Sequence, residues 1–382
     1  MSKLEELIQQ HCPDGVEYKK LEEICFATSN IKWKNTSEHY EYIDLSSVDI
    51  DTHAIVATTN IDYETAPSRA QQIVKQGDVI FATTRPTQMR VCLIPQKNDG
   101  AICSTGYCVL RPNNTKVLSS FLFYILSIED FKRYLEQKQT MGNYPAISNK
   151  LLKEYVIPVP PLPVQEEIVR ILDTFAELQA ELQAELQKRL QQYDYYRDNL
   201  LSFEGRTDVE WKKLGELGRI SSGKNKQKKK EGAYPVYGST GIIAYCDEFK
   251  YDKPLILVAR VGANAGYTHI ARGQYDVSDN TLIIDLDKKN VINKYIFYIL
   301  VNINLNRYAK GGGQPLITAG EIKEITIPVP PLSEQQRIVD ILDRFNSLTT
   351  DITAGLPAEI EARRKQYEYY RDQLLTFKQK AS

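Results

Sequence analysis

Residues 218–224 read GRISSGK, the glycine and lysine spacing of a loop that cradles phosphates with its backbone N–H groups. Such a loop needs Ser or Thr after the lysine to hold magnesium, and Asn225 stands there instead. PDGVEYK (Pro13 to Lys19) has the residue order of a nuclease metal site, but its carboxylates Asp14 and Glu17 are only three positions apart. The parallel run TDVEWK opens a second region at Thr207, so the opening of a domain is the better role for both. The VPP triplets lack the Asn or Asp and the following aromatic of an amino-methyltransferase loop, and no G-x-G loop offers S-adenosylmethionine a seat. His11, His39, His53 and His269 have no Ser or Cys beside them in a repeated setting, so a catalytic triad is unsupported. Cys12, Cys25, Cys92, Cys103, Cys108 and Cys246 form no C-x-x-C pair and read as reduced core thiols, with no metal site. What remains is non-covalent chemistry by arginine, lysine, hydroxyl and amide groups, so a non-catalytic protein without a cofactor of its own is expected.

The elements that must position those groups occur twice. IPVPPL stands at 157–162 and again at 327–332, QEEIVRILDTF returns 170 positions later as QQRIVDILDRF, and QYDYYRDNLLSF returns 174 positions later as QYEYYRDQLLTF. VEYKKL returns as VEWKKL at an offset of 193, so the first globular region is 23 residues longer than the second. A unit this long exceeds the roughly 20 to 50 residues of a solenoid repeat. Duplicated domains with pseudo-twofold symmetry are expected, each a globular region followed by a helix.

Each globular region shows short strand-like runs and one late helix. The first has YIDLSSVDI (Tyr42 to Ile50), GDVIFATT (Gly77 to Thr84), MRVCLIP (Met89 to Pro95), GYCVLRP (Gly106 to Pro112) and a helix over 121–137. The second has YPVYG, LILVAR, NTLIIDL and a helix over 295–308, and YPAIS at 144–148 matches QPLIT at 314–318. Short strands with polar connections point to an α+β domain.

The prolines of VPPLP set an extended lead into a helix whose apolar residues Val164, Ile168, Ile171, Phe175, Leu178 and Leu182 have coiled-coil spacing. Three AELQ tetrads (Ala176 to Gln187) then space leucines by four, a stutter that locally unwinds a supercoil. The second helix carries Ile338, Ile341, Phe345, Leu348 and Ile352 in the same register, until Gly355 and Pro357 predict a kink or restart. Ile168, Leu172, Ile338 and Leu342 are expected to serve the core of the helix pair, and the clusters Tyr193, Tyr195, Tyr196 and Tyr367, Tyr369, Tyr370 to pack its far end. One tetrad adds about 6 Å of helix, one or two base-pair steps of a duplex, which makes the helices candidate rulers.

The net charge of −1 excludes a uniformly basic nucleic-acid binder but hides segregation. Residues 164–204 hold nine acidic and four basic groups, whereas residues 205–230 hold nine basic and three acidic groups and end in GKNKQKKK. Phosphate is repelled by the first stretch and attracted by the second, so any DNA contact falls to the globular regions. No apolar run has membrane-spanning length and the N-terminus is not signal-like, so a soluble cytoplasmic protein is expected.

Together PDGVEYKKL, DVEWKKL, the IPVPPL junctions, QEEIVRILD, QQRIVDILD, GLPAEIEARRKQYEYYRDQLLTF and the AELQ tetrads resemble the specificity subunit of a type I restriction-modification system, most closely the IC group. The resemblance covers nearly the whole chain and implies a bacterial defence role. It implies two tandem α+β target-recognition domains, separated by two long antiparallel coiled-coil helices, with domain 1 at 1–156, a helical spacer at 157–204, domain 2 at 205–326 and a second spacer at 327–382. Each domain would read one half of an asymmetric, interrupted double-stranded DNA site, with tetrad number setting the unread spacer. Two methyltransferase subunits carrying S-adenosylmethionine and adenine-N6 chemistry would dock on the helices. Restriction subunits with ATP and magnesium would join them for cleavage. The runs PSRA, TTRP and STG resemble family loops and nominate Ser68, Arg69, Thr84, Arg85, Ser104 and Thr105 as DNA contacts. SSGK, YGSTG and RVGANAG resemble family loops too and, with the matching QPLIT, nominate Lys224, Arg260, Asn264 and Gln314, while the lysine run at 224–230 adds Lys226 and Lys228 as phosphate contacts. Arg85 and Arg260 follow comparable strand ends, where an arginine reaches guanine O6 and N7 or a phosphate. A stand-alone nuclease and a coiled-coil scaffold without nucleic acid are the alternative readings.

Overall fold

The computed structural model describes residues 2–381 other than 227, 228, 288 and 351–354. It divides into two compact units, Met1–Leu182 with Ile360–Ser382, and Gln183–Glu359.

In the first unit the sheet that carries the loops runs in the order Cys25–Phe26, Tyr107–Pro112, Val79–Ala82, Val91–Leu93. All four residues of Val79–Ala82 are buried, as expected of an inner strand covered on both faces. It pairs antiparallel with Tyr107–Pro112, Ala82 opposite Tyr107. A second sheet runs Thr59–Ile61, Tyr40–Ile43, Ile102–Ser104, Ala70–Ile73. The second unit repeats the first sheet as Gly218–Ser222, Thr281–Leu286, Leu255–Ala259, Thr268–Ala271, again with an inner strand buried at every residue. Its companion is the three-stranded sheet Gly241–Cys246, Tyr234–Gly238, Asp276–Val277.

Both candidate catalytic motifs turn out to be structural. PDGVEYK feeds the strand Glu17–Lys20, paired antiparallel with Val156–Val159, and TDVEWK feeds Glu210–Lys213, paired with Thr326–Val329. GRISSGK is the edge strand Gly218–Ser222 rather than a loop opening a helix. Gly223 is required there, because a Cβ would lie 2.2 Å from the Ser278 carbonyl oxygen.

Past each VPP the chain turns into a helix held by a buried glutamine. Gln165 donates its amide to the carbonyls of Lys116 at 2.9 Å and Pro160 at 2.7 Å, and accepts from the Leu118 N–H at 2.9 Å. Gln335 repeats the clamp on Asn290, Pro330 and Ile292 at 3.0, 2.8 and 2.9 Å. Further along each helix, Tyr124 donates to Asp173 in the first unit and Tyr298 to Asp343 in the second, each at 2.5 Å.

The first long helix is continuous from Leu162 to Leu200, 39 residues or about 58 Å. Ile168 and Leu172 are buried in the core of the first unit with Phe121 and Leu122, and Ile338 and Leu342 in that of the second with Ile296 and Ile299, so they anchor the helices to the globular cores rather than serving a helix pair alone. The seam departs from expectation after Phe175, since Leu178 is 49% exposed and the next residue, Gln179, is half-buried in its stead. Leu348, the repeat of Leu178, is 50% exposed as well. A 3.6-residue turn drifts by about 20° per heptad against a strict 3.5 repeat, and the first helix shifts phase at this point. Beyond it Leu182, Leu186, Leu190 and Tyr193 are half-buried. The second helix runs Leu332–Thr350 and restarts as Leu356–Leu374 beside Gly355 and Pro357, while Ile352 lies outside the described residues.

The tyrosines divide by position. Tyr367 and Tyr370 pack on Phe175 within the first unit, and Tyr193 and Tyr196 on Phe345 within the second. Tyr195 and Tyr369 point to solvent. The six cysteines are unpaired, and burial pushes the thiols of Cys25 and Cys92 up to about 12, which keeps them protonated. Among the described residues no helix is long and apolar enough to cross a membrane.

Candidate nucleic-acid interface

Four segments of the first unit are stitched together where the strand Val79–Ala82 ends. Thr83 donates its N–H at 2.8 Å and its hydroxyl at 2.9 Å to the Gly106 carbonyl. The Thr83 carbonyl accepts from Ile147 N–H at 2.9 Å, and the Arg85 N–H donates to the Pro145 carbonyl at 2.7 Å. The Arg69 carbonyl accepts from the Thr105 N–H at 2.9 Å. Residues 68–69, 83–85, 104–106 and 144–147 are thus joined into one surface, chiefly by backbone hydrogen bonds.

The second unit builds the same surface with other side chains. The Arg260 N–H donates to the Asn280 carbonyl at 2.9 Å, its carbonyl accepts from Ile317 N–H at 2.9 Å, and the Gly262 N–H donates to the Pro315 carbonyl at 2.9 Å. The Asn225 carbonyl accepts from Asp279 N–H at 3.3 Å, and the Lys224 N–H donates to the Val277 carbonyl at 3.1 Å. The base of the 310–316 loop is closed by reciprocal backbone bonds between Lys310 and Leu316 at 2.9 and 2.8 Å. Lys310 also pairs with Glu321 at 2.9 Å, and that ammonium, with the Thr318 cap, holds the Glu321 carboxyl down at about 2.

These bonds fix which residues correspond. Thr83 matches Arg260, Arg85 matches Gly262, Arg69 matches Asn225, and Tyr144 matches Gln314. Arg85 and Arg260 therefore sit two positions apart on the shared frame rather than at one strand end. The difference has a backbone cause. Arg85 has φ of 50° and Gly262 φ of 84°, so both copies need a left-handed residue there, and only the second uses glycine.

Among the nominated residues, Ser68, Arg69, Arg85 and Thr105 are exposed and Thr84 is half-buried. Ser104 is only 2% exposed and its hydroxyl accepts from the Gly106 N–H at 3.2 Å. Ser278 repeats that contact with Asn280 N–H at 3.3 Å, so this serine shapes the turn in both units. In the second unit Lys224, Lys226, Asn264 and Gln314 lie at the surface and Arg260 is half-buried, while Lys228 lies outside the described residues. Lys229 pairs with Asp247 at 3.3 Å, both side chains remaining exposed, so the pair offsets one charge of the basic run only in part.

Sequence reasoning passed over Tyr144 and Met141. Tyr144 carries the Arg85 guanidinium 5.5 Å from its ring centre, and both it and Met141 stand in solvent beside this surface. The signal was present, because YPAIS aligns with QPLIT and sets Tyr144 opposite the nominated Gln314.

The arrangement offers cationic forks, hydroxyls and amides on a rigid frame, the equipment for reading a polar edge rather than for bond breaking. A family model described as the type I restriction modification DNA specificity domain matches residues 13–192 and 207–362. The specificity subunit of the Escherichia coli type I restriction enzyme EcoR124I/EcoR124II is 37% identical over 299 residues, 69% of this chain and 72% of that protein. A putative type I restriction enzyme specificity subunit of Haemophilus influenzae is 35% identical over 288 residues, 69% of this chain and 73% of that one. Among solved structures, a chain from work on assembly and conformational transition of the type I R-M system superposes with a TM-score of 0.69 at 25% identity, over 95% of this chain and 98% of that chain.

Proposed function

The chain belongs to the type I restriction-modification DNA specificity family, and we infer from the paired loop frames that each unit reads one half of an interrupted DNA site. It is a specificity subunit and contributes recognition, not catalysis. The observation that carries the division of labour is the repeated frame. The same backbone bonds hold four segments in each unit, while the side chains they display differ at most positions, with Ser104 and Ser278, Pro145 and Pro315, and Ile147 and Ile317 kept alike. Equivalent frames with unlike residues give an asymmetric two-part site, the first half read through Arg69, Arg85, Ser68, Thr84 and Thr105, the second through Arg260, Asn264 and Gln314. Lys224 and Lys226 hold phosphates beside the second half, since a lysine ammonium serves as a point charge. Ser104 acts through the turn it shapes.

Family membership supports a reading of the partners as well. Two methyltransferase subunits dock on the long helices and bring S-adenosylmethionine and the adenine-N6 chemistry, and restriction subunits bring ATP and magnesium. The setting is the bacterial cytoplasm. The helices between the reading surfaces set the length of the unread spacer.

The test is co-expression with a type I modification subunit in a methylation-free host, followed by single-molecule mapping of N6-methyladenine. The expected result is one interrupted two-part motif. A stable complex that adds no methylation would overturn the reading of both units as sequence readers.

A further inference from the structure

Met141 and Tyr144 are 93% and 74% exposed, the two highest values among the large apolar side chains described. They share one loop tip. Its base is pinned by the Thr140 N–H donating to the Ala146 carbonyl at 2.8 Å and by the Ala146 N–H donating to the Thr140 hydroxyl at 3.0 Å. Between them Gly142 takes φ of 134° with nothing within 4 Å of where a Cβ would stand, so the tip projects into open space. Arg85 lies over the Tyr144 ring at 5.5 Å and its N–H holds the neighbouring Pro145 carbonyl at 2.7 Å. An aromatic ring and a thioether are thus presented on a braced loop and flanked by a cation.

The second unit supplies an internal control. The loop of equal length at 310–316 has the same pinned base but carries Gly311, Gly312, Gly313 and Gln314 at its tip. Solvated single hydrophobics are common, whereas two on one braced tip beside a candidate DNA-reading arginine call for a partner surface. Apolar side chains that meet DNA in this way enter between base steps and unstack them, and aromatic rings take up the exposed base face.

We propose that the Met141–Tyr144 tip is an apolar wedge that unstacks one base step in the half-site read by the first unit, while the glycine tip of the second unit leaves its half-site stacked. The inference rests on the reading of both units as DNA readers. Arg85 holds the Tyr144 ring and places positive charge where the flanking phosphate passes.

The test uses the assembled methyltransferase complex and duplexes of its mapped site, with 2-aminopurine placed at successive positions through both halves other than the methylated adenines and their immediate neighbours, because a methyltransferase extrudes its own target base. The fluorescence is expected to rise several-fold at a single step in one half only. The Met141→Ser/Tyr144→Ser double variant is expected to return it to the level of free duplex and to bind about tenfold more weakly, and Tyr144→Phe to keep both properties. Because both side chains are solvated, the double variant should fold. No brightening in either half, or brightening that survives the double variant, overturns the wedge. So does a double variant that assembles poorly with the methyltransferase while the assembled fraction binds DNA normally, which would make the tip a protein contact. A wild-type complex with no two-part methylation motif would sink the reader assignment and the wedge together, whereas failure of the fluorescence alone sinks only the wedge.

Discussion

Arg85 carries the sharpest conflict between local preference and placement. A non-glycine residue in the left-handed region costs about 1–2 kcal/mol, and the matching residue of the other unit is Gly262. Strain of this kind persists where neighbours over-determine it, here the N–H bond to Pro145 and the stacked Tyr144. The backbone alone would favour glycine, so the side chain is what the position keeps. Arg85→Gly relieves the strain and adds the entropy cost of glycine, about 0.5–1 kcal/mol, so stability should change by less than about 1 kcal/mol. Losing a bidentate base contact or a phosphate contact should cost the assembled complex about tenfold or more in affinity for its site. Urea unfolding and a DNA titration on the same preparation decide the matter. A large fall in the urea midpoint with unchanged DNA affinity would make Arg85 a structural residue.

At the scale of elements, the glutamine clamps explain why QEE and QQR follow the proline junctions. Gln165 joins the helix start to the 116–118 turn through three bonds in a buried site, and removing it strands two carbonyls and an N–H without partners. Gln165→Leu should destabilise the first unit by about 3 kcal/mol or more, because three buried groups are orphaned and each costs about 1–3 kcal/mol. Amide exchange at Leu118 and in the first helical turn should accelerate while the matching amides around Gln335 stay protected. Equal protection in the variant would show the clamp to be dispensable. The repeat, the α+β character, the restart at Gly355 and the burial of Ile168 and Ile338 were legible in the sequence, because each follows from periodicity or from proline and glycine chemistry. Leu178 was misplaced because heptad spacing cannot see a change of helical phase. Arg85 and Arg260 were equated because a strand end read from composition is uncertain by a residue or two, and only the bonds to Gly106 and Asn280 fix the register. The glutamines were invisible as clamps because their partners are 47 and 43 residues distant.

Across the whole molecule, charge and repetition divide the work. A chain of net charge −1 still concentrates lysine in residues 224–230 and acid along the first long helix, so phosphate is drawn to the loops and kept from the helix. On the proposed reading the two frames decide which bases are read, and the helix between the globular regions decides what lies unread between them. That separation makes a prediction that neither unit carries alone. One more AELQ tetrad after Gln187 keeps the helix in good sequence and lengthens it by about 6 Å, one or two base-pair steps. Four residues also turn a helix by about 40° beyond a full turn, a phase change of the size that the existing tetrads already accommodate. In the co-expressed methyltransferase, methylation mapping should then return the same two half-sites with a spacer longer by one or two base pairs. An unchanged spacer would remove the ruler role from the helix, and altered half-sites would mean that the reading surfaces depend on the helix for their own shape.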